Sequence, residues 1–372
     1  MALKDTYAIE PDDKYMAVDQ DFATVFNWHY DEGRQDLLNL YEKGKKMQWN
    51  AQHRIDWSLE LDPENPQQMP LELLPIYGSP MYEKMTKAEQ AEARCHYQSW
   101  STSQFLHGEQ GALICAAKIV QQVPDIEAKF YASTQVIDEA RHVEAYKKLI
   151  DKFGRAYPMT GPLQELLDQV IRDNRWDMTY LGMQVVIEGL ALAAFAGIRD
   201  NAQNPLSQQV NAYVMQDEAR HVAFGRLALR EYYPELTQAE RDEREEFLVE
   251  ACYLMRDRFQ AREVWETLGL PVEECMEYLE RSEGMKIFRN HLFNRIVPVV
   301  KDVGLWGEKV QDGYRKMGIL DYAQVDVDAL QANDDQIARE FDARREHIEA
   351  LAAEVKNGTI NGSDGNGAVA AE

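Results

Sequence analysis

The chain has 372 residues, with 40 Lys and Arg against 64 Asp and Glu and a formal net charge of −24. That balance excludes a surface for nucleic acid or an anionic membrane, since both need clustered cations. The length fits one large domain with extensions better than one small domain.

Four cysteines (Cys95, Cys115, Cys252, Cys275) form no CxxC pair and no dense framework, which suits a reducing cytoplasm. The opening "MALKDTYAIEPDDKYM" lacks the apolar core of a signal peptide. No run of about 18 apolar residues is read, so no membrane-spanning helix is expected.

In chain order, residues 1–90 read as an N-terminal extension, with a helix over "EGRQDLLNLYEKGKKMQWNAQ" and Pro-rich punctuation at "DPENPQQMPLELLPIYGSP". Residues 91–235 are expected to form a helical bundle. A long helical stretch runs to Pro124, which is placed to open the next helix, and that helix runs to a glycine stop at Gly154. One segment then spans "PLQELLDQVIRDNRWDMTYLGMQVVIEGLALAAFAGIRD", and another opens at Pro205 after "NAQN". Residues 236–356 are expected to add helices: one from the Thr237/Glu240 capping box to about 262, others near 272–300 and 334–356. Residues 357–372 read as a disordered tail. No segment alternates with a strand period, so the class is all-α.

Within this pattern Asp-Glu-Ala-Arg-His-Val occurs twice, at 138–143 and 217–222. Glu139 and His142 are three apart, as are Glu218 and His221. On a helix that spacing sets carboxylate and imidazole on one face, able to bind one cation. Glu109 stands 30 residues before Glu139 and Glu188 30 before Glu218, so all three pairs share an offset of 79. Pro124 and Gln203 lie midway along each hairpin, giving arms of about 22 Å that return the two glutamates to similar depth.

Glu188 is the only ionisable residue in "MQVVIEGLALAAFAGI". A buried carboxylate must be protonated, paired or metal-bound. The alternatives are a metal and an ion pair with Arg141 or Arg220. Four glutamates and two histidines fit a carboxylate-bridged two-metal site inside a four-helix bundle, of a donor type suited to iron or manganese.

On these motifs the chain resembles the ferritin-like di-iron carboxylate proteins over about 90–235. The relatives include bacterial multicomponent monooxygenases, N-oxygenases, acyl desaturases, ferritins and the small subunit of ribonucleotide reductase. The resemblance implies a ferritin-like four-helix bundle with additional N- and C-terminal helices. It implies two iron ions (manganese being possible) bridged by Glu139 and Glu218, with O2 as co-substrate. It also implies that Asp138 and Asp217 orient the ligand histidines, and that Trp49 matches an electron-transfer tryptophan. Tyr146, four residues after His142 and so on the same face, matches the radical tyrosine of ribonucleotide reductase. Gly225 holds the corresponding place in the second half.

Two further departures are visible. Ala191 and Leu192 stand where monooxygenases carry a Thr, and Val214 and Met215 where the best-known N-oxygenases carry a third histidine. An apolar lining from Leu113, Cys115, Leu192, Phe195 and Phe224 is expected. The function expected is oxygenation of a small organic substrate by hydroxylation or N-oxygenation. The alternatives are a radical-generating or oxidase subunit, an acyl desaturase, or iron handling. No dinucleotide fingerprint or iron–sulfur cysteine set occurs, so electrons must come from an external ferredoxin or flavin reductase. A homodimer is expected, with neither nucleic acid nor membrane as partner.

Overall fold

The computed structural model describes residues 33–337 continuously, together with 8, 22–28, 30, 339–340 and 343. Contacts divide the chain into two compact units, Met1–Val327 and Asp328–Glu372. Of the second unit, 328–337 is helical. The helix expected to 356 lies mostly outside the described residues, and the expected tail wholly so.

Among the described residues of the first unit there is helix and no strand. Helix α1 (Gln35–Lys46) precedes four long helices: α2 (Lys87–Gln122), α3 (Ile126–Phe153), α5 (Trp176–Asn201) and α6 (Pro205–Tyr232). Between the two pairs lies α4 (Gly161–Arg172), and α7 (Gln238–Asp257) follows. Helices α2 and α3 form one hairpin, α5 and α6 the other, and α3 meets α6. Four buried faces therefore surround one core, while α1 lies along α3 and α6. This is the expected ferritin-like arrangement.

The helix ends follow local chemistry. Thr86 and Glu89 form a capping box on α2, and Thr237 and Glu240 one on α7. Gly154 ends α3 in the left-handed region, at φ 67°. Asn204 caps α6 by accepting from the backbone N–H groups of Leu206 and Ser207. Pro124 stands just outside α3, whose cap is Asp125.

Three expectations change. The segment expected to run unbroken through 162–200 is two helices, parted at 173–175. There the Asp173 carboxylate accepts from the Arg175 backbone N–H, and buried Lys118 donates to the freed carbonyls of Val170 and Ile171. Next, α5 is long and apolar enough to cross a membrane by length and composition, with a mean hydropathy of 1.8 over the apolar window. Yet 83% of that window is buried in the protein, so the bundle core accounts for its character. Finally, the helix expected near 272–300 is broken into α8 (Val272–Arg281), α9 (Glu283–His291) and α10 (Ile296–Asp302), before α11 (Glu308–Met317). Ser282 parts the first two by capping α9 through the backbone N–H of Met285.

Inside α5, Leu181–Ile187 forms a π-helical turn directly before Glu188, all seven residues buried. Such turns recur beside functional sites, where they shift the register of the next side chain.

Candidate metal centre

Glu109 on α2, Glu139 and His142 on α3, Glu188 on α5, and Glu218 and His221 on α6 all point into one buried space. Their donor atoms form two overlapping groups, each within 4.8 Å: Glu109, Glu139, His142, Glu218 and Glu139, Glu188, Glu218, His221. Glu139 and Glu218 belong to both. His142 Nδ1 lies 3.2 Å from Glu109, 3.3 Å from Glu139 and 2.9 Å from Glu218. His221 Nδ1 lies 3.0 Å from Glu139 and 3.4 Å from Glu218.

The far nitrogens of the two imidazoles are held crosswise. His142 Nε2 sits 3.0 Å from Asp217 Oδ2 on α6, and His221 Nε2 sits 3.2 Å from Asp138 Oδ2 on α3. Each Asp thus orients the histidine of the opposite motif rather than its own. Arg141 bonds both aspartates, and Arg220 bonds Asp217 and lies 3.6 Å from Asp138. Trp49 donates its Nε1–H to Asp217 at 2.8 Å, with the Arg141 guanidinium over its ring. The chain of groups Trp49–Asp217–His142 therefore leads from the start of the bundle's outer layer to the cluster.

The residues fit a cationic centre. Glu139 Oε2, Glu188 Oε2, both Glu218 oxygens and His221 Nδ1 are buried without a hydrogen-bond partner, an arrangement that normally costs stability unless an ion takes up the atoms. Burial, together with the neighbouring carboxylates, pushes Glu109 and Glu188 well above the usual carboxylate range. Burial works against charge on His142 and His221, yet the surrounding carboxylates hold both well above the ordinary imidazole value. Four carboxylates this close need cations in order to ionise together. Among the described residues Glu188 makes no ion pair: Arg141 and Arg220 are engaged with the aspartates, and Glu188 Oε1 accepts from Gln135 Nε2 at 2.9 Å.

Gln135 also donates to Glu139 Oε1 at 3.0 Å and receives a bond from Gln184 of the π-helical turn at 3.4 Å. These two glutamines escaped the sequence reading, although each stands four residues before a candidate ligand, on its face. Tyr146 is buried beside Phe105 and Phe195, and its hydroxyl donates to Asn211 at 3.1 Å rather than to a carboxylate. Leu192, Phe195 and Phe224 are buried in the core and Leu113 is half-buried.

The model of the p-aminobenzoate N-oxygenase AurF family matches residues 31–304. The chain belongs to that family. The departure at Val214 and Met215 does not place the chain outside that family. The residue 79 positions before Val214 is Gln135, the side chain that reaches Glu139 and Glu188. No curated protein matches the chain. Among solved structures, a Synechococcus protein with aldehyde deformylating oxidase activity is 16% identical, covers 60% of this chain and 99% of its own, and has a TM-score of 0.45. A variant of an R2-like ligand-binding oxidase with a Mn/Fe cofactor is 17% identical over 75% of this chain and 100% of its own, with a TM-score of 0.47. The family and the buried cluster make the protein an O2-dependent oxidoreductase with a two-metal cofactor.

Proposed function

We propose that Glu109, Glu139, His142, Glu188, Glu218 and His221 hold two iron ions, and that the enzyme N-oxygenates an organic amine. The pair of donor groups sharing Glu139 and Glu218 carries the two-metal reading, and the family match supports oxygenation on nitrogen. Bound iron supplies the activation of O2; the protein supplies binding, orientation and exclusion of water. In balance, RNH2, O2, two electrons and two protons give RNHOH and water. Asp217 and Asp138 keep the two Nδ1 atoms turned inward by holding Nε2. Arg141 and Arg220 offset the charge of these aspartates, and the Trp49–Asp217–His142 connection supplies a route for electrons from an external ferredoxin or flavin reductase. Phe105, Phe195 and Leu192 keep the reacting volume dry. Four unpaired cysteines accord with a cytoplasmic enzyme. A homodimer completes the reading, and light scattering measures it.

The test is turnover of the iron-loaded enzyme with a chemical reductant, 18O2 and a panel of primary amines that includes 4-aminobenzoate. One labelled oxygen on nitrogen is expected. Label on carbon alone would make the enzyme a hydroxylase, and uptake of many irons per chain with no organic dependence would make it an iron-handling protein.

A further inference from the structure

A cavity of about 560 Å3 lies between the outer parts of α2 and α5. Its wall on α2 is Arg94, Gln98, Ser101 and Phe105, a stripe at helical spacing whose next member, four residues on, is Glu109. The facing wall on α5 is Ala193, Ala194, Gly197, Ile198 and Asn201, which begins about one turn beyond Glu188. On α2 the cavity continues outward the face that carries Glu109, while on α5 it lies against the face turned away from Glu188. Its roof is apolar, from Met69, Leu73 and Tyr77 on one side and Met285, Phe288 and Leu292 on the other.

At the inner end stands Phe105, buried, with its ring edge-on to Phe195 at 4.8 Å and 5.7 Å from Tyr146. Gln98 is engaged within the wall by Asn65 and the Gln67 backbone. Asp200 is tied to Arg199, and Glu72 is exposed on the rim. Arg94 is half-buried and gives only its Nε–H to the Glu64 carbonyl. No carboxylate among the described residues pairs with its terminal nitrogens. A guanidinium cannot shed its charge, so a half-buried one without a carboxylate favours an anion. From Arg94 to Phe105 the helix rises about 16 Å.

We infer that this cavity takes an organic anion with an apolar body longer than one aromatic ring, its anionic group at Arg94 and its reacting end against Phe105. A cavity of about 150 Å3 already holds benzene, and this one is 560 Å3. The inference names the substrate class of the proposed oxygenase and rests on that reading for the reacting end. Phe105 is then the residue that sets how far the substrate reaches toward the carboxylates.

Binding of dodecanoate, dodecan-1-ol and 4-aminobenzoate to the full-length, anaerobically iron-loaded protein tests this by calorimetry. Dodecanoate should bind at least about tenfold more tightly than 4-aminobenzoate, on the strength of its larger apolar contact. Arg94→Gln should weaken dodecanoate about tenfold, the scale of one charge-assisted bond, and leave dodecan-1-ol unchanged. A Cβ added at Gly197 meets nothing within 4 Å, so Gly197→Phe should fill the cavity, abolish both long ligands and keep the iron content. Equal affinity for 4-aminobenzoate, indifference of dodecanoate to Arg94→Gln, or unchanged binding in Gly197→Phe would each overturn the inference. Dodecanoate binding by protein that takes up no iron would overturn the metal-centre reading alone; full iron loading without dodecanoate binding would overturn this one alone.

Discussion

At Glu188 one carboxylate oxygen is held by Gln135 and the other has no partner, in a stretch with no other ionisable side chain. Removing it takes an oxygen donor from only one of the two groups that share Glu139 and Glu218. Glu188→Ala is therefore expected to lower iron content from about two per chain toward one, the ratio expected of a four-Glu, two-His centre. Metal analysis after anaerobic loading measures it, and unchanged loading would remove Glu188 from the centre. Tyr146 presents a different balance, because its hydroxyl meets only Asn211. Tyr146→Phe should keep both metals and lose about 1 kcal/mol of stability with that bond. If Tyr146 is the redox-active side chain, any tyrosyl radical signal trapped after O2 exposure disappears in this variant; turnover at the native rate without a signal would leave the tyrosine structural.

Between elements, the approach of α6 to α5 limits what the second half of the repeat can carry. A Cβ at Gly225 would lie 2.6 Å from Gln184 Cβ in the π-helical turn, so no tyrosine can match Tyr146 there. Gly225→Ala should cost about 1–3 kcal/mol by overpacking, read as a lower melting temperature, and it should loosen Gln184 from Gln135. A cost near zero would show that the π-helical turn yields freely. The outer half of α2 is governed by another buried group. Burial, helped by the nearby positive charge of Arg155, pushes His96 down to about 4; Tyr157 bonds its Nδ1 and Glu92 lies 3.7 Å from its Nε2. His96 is neutral in the fold, whereas the unfolded chain takes up the proton near the ordinary value of 6.5. Its contribution is thus intact above that value and is lost as pH falls from about 6.5 toward 4. His96→Gln should flatten the slope of melting temperature in that window relative to the parent chain; parallel slopes would count against a buried neutral histidine.

Across the whole molecule, the candidate metal ligands stand on all four helices of the bundle, so metal binding there would stabilise the native state by mass action. At a hundredfold excess over the dissociation constant this is about 2.7 kcal/mol, expected as a rise of several degrees in the melting temperature on anaerobic iron loading. Without metal, the cluster retains protons, because Glu109 and Glu188 are held up by burial and their neighbours and the histidines are held up by carboxylates. Metal must displace those protons, so affinity falls as the solution is acidified and loading releases acid. The melting-temperature gain should therefore shrink between pH 7.5 and about pH 6. A gain that grows on acidification would contradict the protonation state described.

What the sequence by itself determined is local and periodic. The 79-residue offset, the i, i+3 spacing of Glu139 with His142 and of Glu218 with His221, and the two hairpin midpoints depend only on helix geometry, which neighbouring residues specify. The capping boxes at Thr86 and Thr237 and the stop at Gly154 belong to the same level. Tertiary structure decided which side chains meet across helices. Asp217 serves His142, and Asp138 serves His221, because α3 and α6 face each other; no spacing along either helix encodes that pairing. The break at 173–175 depends on Lys118, which arrives from α2 to bind freed carbonyls. Gln135 and Gln184 stand at readable positions, but only the approach of α5 to α3 brings Gln135 to Glu188 and Gln184 to Gln135. The cavity likewise needs walls from several separate stretches of chain, and apolar stripes in sequence look the same whether a helix or a ligand covers them.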